Sequence, residues 1–134
     1  MNMATLNPWA ILVAAVSAFV LGGLWYSPML LGILWKRANG FGPGEPPQPT
    51  PKTFAITFVL SLVMSFNLAM FLNDPKTTMA WGAMAGFLAG FGWVAMGIAI
   101  VALFEHRPWS YVVVNGGYLT VALVVMGAIL GAWR

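Results

Sequence analysis

Apolar side chains run along this chain in long blocks, and the few charged residues mark where the blocks end. No charge precedes Lys36, and the later charges leave uncharged intervals between Lys52 and Asp74, Lys76 and Glu105, and Arg107 and Arg134. A hydrocarbon core about 30 Å thick takes roughly 20 apolar residues of helix to cross. All four blocks reach that length, which predicts spans over about 8–26, 53–72, 77–104 and 108–133 in one transmembrane domain, 1–134. Each block is apolar on every face, and the alternating segments of about ten residues that build a membrane barrel are absent. The fold class is therefore all-α, a polytopic membrane protein built as a four-transmembrane-helix bundle. The third block is longer than a straight crossing needs, so tilt or protrusion is expected there.

Local chemistry refines the ends of these spans. Pro8 suits a first helical turn, where its missing amide costs nothing. In LWYSP, Trp25 and Tyr26 fit the membrane–water boundary, where amphipathic rings settle. Pro28 cannot continue the amide ladder and biases Ser27 away from helix, so a kink or break follows the first span. The next stretch, MLLGILWKR, reads as a short interfacial helix anchored by Trp35, Lys36 and Arg37. The loop over 38–52 carries Pro43, Pro46, Pro47, Pro49 and Pro51, a composition that favours an extended spacer or disorder. The other two connections are only a few residues long, which makes spans two and three, and three and four, antiparallel neighbours.

Composition agrees with a bilayer setting. Only 7% of residues are charged and 60% are hydrophobic, with a mean hydropathy of +0.85; soluble domains carry about a quarter charged residues. The absence of cysteine excludes disulfides, thiolate metal sites and cysteine nucleophiles. A pI near 9.7 rests on six basic against three acidic residues scattered between apolar runs, so it points to no nucleic-acid partner. Lys36, Arg37, Lys52 and Arg107 fall on the side of loops one and three, against Lys76 and Arg134 on the other. The positive-inside rule then places loops one and three in the cytoplasm and both termini outside an inner (plasma) membrane. The opening MNMATLNPWA lacks the basic region of a cleaved signal peptide, so the first span is expected to remain.

Helices in lipid associate where small residues let backbones approach. Gly82, Gly86 and Gly90 recur at four-residue spacing in the third span, and Gly127 and Gly131 do so in the fourth. Ala14, Ala18 and Gly22 mark the first span, and Ser61, Ser65 and Ala69 the second. These helix-packing stripes can serve one bundle or zip a homo-oligomer, and packing within one chain is the simpler use.

The spans contain no ionisable acid or base, so proton-coupled transport through an intramembrane carboxylate has no carrier. FEHRPW gathers Glu105, His106 and Arg107, but adjacent residues do not share a helical face as metal ligands would, and the chain has a single histidine. An interfacial turn is the plainer reading, with Arg107 snorkelling and Trp109 in the aromatic belt. No metal, cofactor or catalytic residue is expected, since nucleophile elbows, phosphate loops, HExxH and paired carboxylates are all missing. Tyr111, Asn115 and Tyr118 lie on one stripe of the fourth helix, and a buried amide needs a partner, so that stripe should face protein or water. Asn67 is a second such intramembrane polar position; it lies about 10 Å from Asn115 in depth, too far for a direct pair. At one level of the bilayer, Trp25, Tyr26 and Ser27 join Glu105, His106, Arg107, Tyr111, Asn115 and Tyr118 in a candidate polar cluster, with Tyr26 or Ser27 near Glu105.

LGGLWYSPMLLGILW, FEHRPWSYVVVNGGY and MGAILGAW together resemble the domain-of-unknown-function 1761 family of small four-span membrane proteins. The resemblance implies four spans and a shortlist of positions: Trp25, Tyr26, Ser27, Pro28, Glu105, Arg107, Pro108, Trp109, Asn115 and Tyr118. It brings no catalytic role. The function expected is that of a non-enzymatic membrane protein, a homo-oligomer or an accessory subunit of a larger membrane complex, with a small channel or transporter as the alternative.

Overall fold

The computed structural model describes residues 5–41 and 49–134; of the spacer expected over 38–52, residues 42–48 lie outside them, while 38–39 and 51–52 are helical. Four helices are long and apolar enough to cross a membrane: Pro8–Trp25, Pro51–Phe71, Met79–Phe104 and Trp109–Ala132. No strand occurs among the described residues. The chain is an all-α polytopic bundle.

The first three spans each start on a side-chain cap. The Asn7 side chain accepts from the Trp9 and Ala10 amides at 3.0 and 3.2 Å, opening α1 (Pro8–Trp25) with Pro8 in its first turn. After α1 the chain turns sharply at Pro28, and the Gly32 amide returns to the Ser27 carbonyl at 2.9 Å. The turn folds tightly over Gly32, where a Cβ would press into the Tyr26 and Ser27 carbonyl oxygens. The short helix α2 (Gly32–Asn39) follows and carries Lys36 and Arg37 in its last turn. It stops on Gly40, whose φ of 72° is the left-handed conformation that glycine adopts without a steric penalty. Thr50 caps α3 (Pro51–Phe71), so this helix begins before the Lys52 charge that marks the sequence gap.

The third span is α4 (Met79–Ala89), a π-helical segment (Gly90–Ala95) and α5 (Met96–Phe104), with Thr78 capping its start. The π segment changes the register of the buried face. Gly82, Gly86 and Gly90 follow the α spacing, but the next small residue against α6 (Trp109–Ala132) is Ala95, five positions after Gly90 and facing Gly116. A wider i→i+5 turn keeps Ala95 on the α6 side where a regular helix would rotate it away.

Helix α6 is the centre of the bundle, with 33% of its most apolar window buried against 17% for the third span. The third span packs on one side of α6 and α1 on another. Their backbones meet at glycine: a Cβ on Gly82 would run into the Gly127 carbonyl, on Gly86 into that of Leu123, and on Gly131 into that of Thr78. Ala10, Ala14 and Ala18 of α1 are buried. Helix α3 rests on α1 through Ser61, Ser65 and Ala69, and the Ser65 hydroxyl donates to the Ile11 carbonyl at 2.8 Å. The N-terminal segment, the α3–α4 turn and the C-terminus gather at one end, where Arg134 donates to the Leu72 and Asp74 carbonyls and Thr5 to Asn73. The α1–α2 and α5–α6 turns lie at the other.

Candidate functional site

The polar residues singled out by sequence fall mainly on the contact between α1 and α6, near the end that carries α2. The Trp25 indole N–H donates to the Val114 carbonyl at 2.9 Å. The Tyr26 hydroxyl donates to Asn115 Oδ1 at 2.6 Å, and the Asn115 amide nitrogen donates to the Tyr111 carbonyl at 3.1 Å. One turn further in, the Tyr118 hydroxyl donates to the Ala18 carbonyl at 2.8 Å. The rings lock together as well as the polar atoms. Tyr26 stands edge-on to Tyr118 at 5.4 Å and to Trp35 of α2 at 5.8 Å, in the T-shaped geometry that aromatic quadrupoles favour.

Three elements therefore converge on Tyr26. Its position at the end of α1 directs its hydroxyl to α6, and the Pro28 turn brings Trp35 back over its ring. Asn115 has one acceptor and one donor in use, both within protein, so Asn115 and Tyr118 face protein. No buried side-chain nitrogen or oxygen among the described residues lacks a hydrogen-bond partner. Asn115 and Tyr118 thus bond α6 to α1 in a polar seam, whereas the Tyr111 hydroxyl makes no hydrogen bond among the described residues and its ring lies beside the Arg107 guanidinium.

The expected contact of Tyr26 or Ser27 with Glu105 is not made. Tyr26 is level with Asn115, roughly 9 Å along the axis from the start of α6, and its hydroxyl is taken there. Ser27 donates to the Leu24 carbonyl at 2.7 Å, within its own turn. Glu105 sits in the exposed turn outside the seam, paired with Arg107 at 3.4 Å, while the Arg107 guanidinium lies 5.3 Å from the centre of the Tyr111 ring. Exposed pairs of this kind add about 0–1 kcal/mol, so this is an anchoring turn.

His106 has a conformational place in that turn. Its φ is 57°, the one positive value among the described non-glycine residues. The His106 amide bonds the Leu103 carbonyl at 3.3 Å and the Arg107 amide bonds that of Ala102 at 2.9 Å, the Schellman closure of α5. Glycine is the usual residue at such a position. His106→Gly is expected to stabilise the fold by about 0.5–1 kcal/mol, read as a raised midpoint of thermal unfolding in detergent. Unchanged or lowered stability would show that the imidazole makes up for its backbone strain. Among the described residues no group of three or more histidine, aspartate or glutamate side chains gathers that could hold a metal.

Asn67 departs from its expectation. It lies on the exposed face of α3, turned away from α1, and makes no hydrogen bond within the chain among the described residues. Gly82, Gly86, Gly90, Gly127 and Gly131 all lie in the contact between the third span and α6. Sequence reasoning missed the π segment, although Gly90 and Gly92 in GFGWVA were a signal that the helix could depart from regular geometry there. It also missed Trp35 as a partner of Tyr26, because that contact depends on how the turn closes.

The family described as a protein of unknown function (DUF1761) matches residues 9–131. The chain belongs to this family. No curated protein and no solved structure matches it. The DUF1761 match covers all four spans but for Pro8 and Ala132, and with them the whole seam from Trp25 to Tyr118 and the glycine contact as far as Gly131.

Proposed function

We propose that the protein is a non-enzymatic integral membrane protein that works as an oligomer or as an accessory subunit of a membrane complex. The carrying observation is an open side of the bundle. Helix α3 rests on α1 and leaves a groove of about 470 Å³ between itself and the third span, lined by Leu68, Phe71, Leu72, Trp81, Leu88 and Trp93. Four closely packed helices would fill that space with one another, whereas here one wall is left for something else. The seam of α1 and α6 supports packing over a solute path, because its polar groups are spent between helices. The proposed setting is the inner membrane, with both termini outside and α2 at the cytoplasmic surface, as the balance of basic residues suggests.

Gentle solubilisation from native membranes, followed by sizing and native mass spectrometry, tests this reading. The expected result is a defined complex, of identical copies or with a stoichiometric partner. A lone monomer would overturn it.

A further inference from the structure

Beside the open groove stand two polar groups that make no hydrogen bond among the described residues. Just outside the α3 wall, which Leu68, Phe71 and Leu72 line, Asn67 shares the outward face of α3 with Leu60 and Phe71, one turn inside Phe71. On the other, Trp93 stands near the middle of the third span and is 73% exposed, with no hydrogen bond to its indole N–H among the described residues. Both placements are costly in lipid. An amide without a partner in hydrocarbon carries a penalty that water would remove, and tryptophan prefers the interface to the middle of the bilayer. Elsewhere this chain follows those rules: Asn115, Tyr26, Tyr118 and Trp25 are all bonded, and Ser65 is as well.

We propose that a second copy of this chain closes the groove, its own α3 lying along the rim, in a dimer with its two-fold axis along the membrane normal. This inference rests on the oligomeric reading above and names its interface. A two-fold contact sets each residue opposite its own counterpart at equal depth. Asparagine is among the few side chains that satisfy a copy of themselves, since the amide carries both a donor and an acceptor. Two Asn67 side chains meeting at the axis would each give the other a hydrogen bond. The same docking covers Phe71 and Trp93, which are among the most exposed large side chains of the two walls. The glycine stripes do not compete as the dimer contact, because the third span and α6 use them on each other. Among the faces open to a partner, this one joins large side chains to an unbonded amide, and in lipid such a face associates through packing and interhelical hydrogen bonds.

The chain contains no cysteine, so single cysteines report on one position at a time. Asn67→Cys and Leu60→Cys, oxidised with copper phenanthroline in the membrane, are expected to give a disulfide-linked dimer. Val20→Cys, on an exposed face of α1, is expected to stay monomeric on a denaturing gel. Asn67→Leu should weaken dimerisation in detergent roughly tenfold while helicity stays unchanged. A dimer by native mass that cross-links through Val20→Cys and not through α3 would overturn the interface while leaving the oligomeric reading intact. A different protein in stoichiometric complex, with no α3 cross-link, would do the same. A monomer that retains lipid in the groove would overturn both.

Discussion

Gly127→Leu is expected to disrupt the folded bundle, whereas Gly23→Leu is expected to leave it intact. The two glycines lie in apolar helices of similar composition, and only their surroundings differ. A Cβ on Gly127 meets the Gly82 carbonyl oxygen and carbon, which are backbone atoms that cannot rotate aside. The collision is mutual, since a Cβ on Gly82 meets the Gly127 carbonyl. Relief requires α4 and α6 to separate, and that contact is the most extensive in the molecule. Overpacking a core with flexible neighbours costs about 1–3 kcal/mol. Here the neighbours are rigid on both sides, so the expected loss exceeds about 3 kcal/mol, a large part of the 5–15 kcal/mol that holds a typical domain together. Gly23 has nothing within 4 Å of its would-be Cβ and faces outward. Leucine there should change stability by no more than about 0.5 kcal/mol. Yield of monodisperse protein after detergent extraction, and the denaturant midpoint of whatever survives, read both outcomes. A Gly127→Leu variant with wild-type yield and midpoint would mean that α4 and α6 do not pack this closely.

The contrast between these two glycines also shows where the sequence stops being readable. Gly82, Gly86, Gly127 and Gly131 declare a close approach through their four-residue spacing, because a helix brings such positions onto one face. Spacing says nothing about which face meets which. A stripe that zips two chains looks the same as one that joins two helices of a single chain. The number of spans was legible for a simpler reason: membrane thickness sets a length, and charges cannot lie inside it. The break at Pro28 and the helix after it were legible because proline acts on its own backbone. The Tyr26–Asn115 bond was not, since it joins residues far apart in sequence, and neither bears a mark of the other. Sequence depth alone suggested a cluster at the level of Glu105. The hydroxyl of Tyr26 instead reaches past that turn to the second turn of α6. Asn67 was misplaced for a related reason: the rule that an intramembrane amide needs a partner does not say that its partner belongs to the same chain.

Trp25→Ala should be the most damaging single change in the polar seam, and the comparison with Trp25→Phe separates its two contributions. The indole lies over Gly117, where a Cβ would come within 3.1 Å of Trp25 Cζ2, so the ring fills the space that this glycine leaves. Its N–H donates to the Val114 carbonyl, reaching a main-chain oxygen from the end of α1. Truncating a packed aromatic side chain to alanine costs about 3–5 kcal/mol; partial exposure of Trp25 sets the expectation at the lower end of that range. Phenylalanine keeps most of the apolar contact and loses the hydrogen bond, which within a membrane protein averages about 0.6 kcal/mol. The expected order is therefore wild type, then Trp25→Phe by under about 1 kcal/mol, then Trp25→Ala by about 3 kcal/mol. Reversible unfolding in mixed micelles, followed by loss of helicity, measures both steps. If the two variants fell equally far, the hydrogen bond would dominate and the ring would be a mere spacer. If neither moved the midpoint, Trp25 would not join α1 to α6, and the LWYSP turn would be free to serve a partner outside the chain.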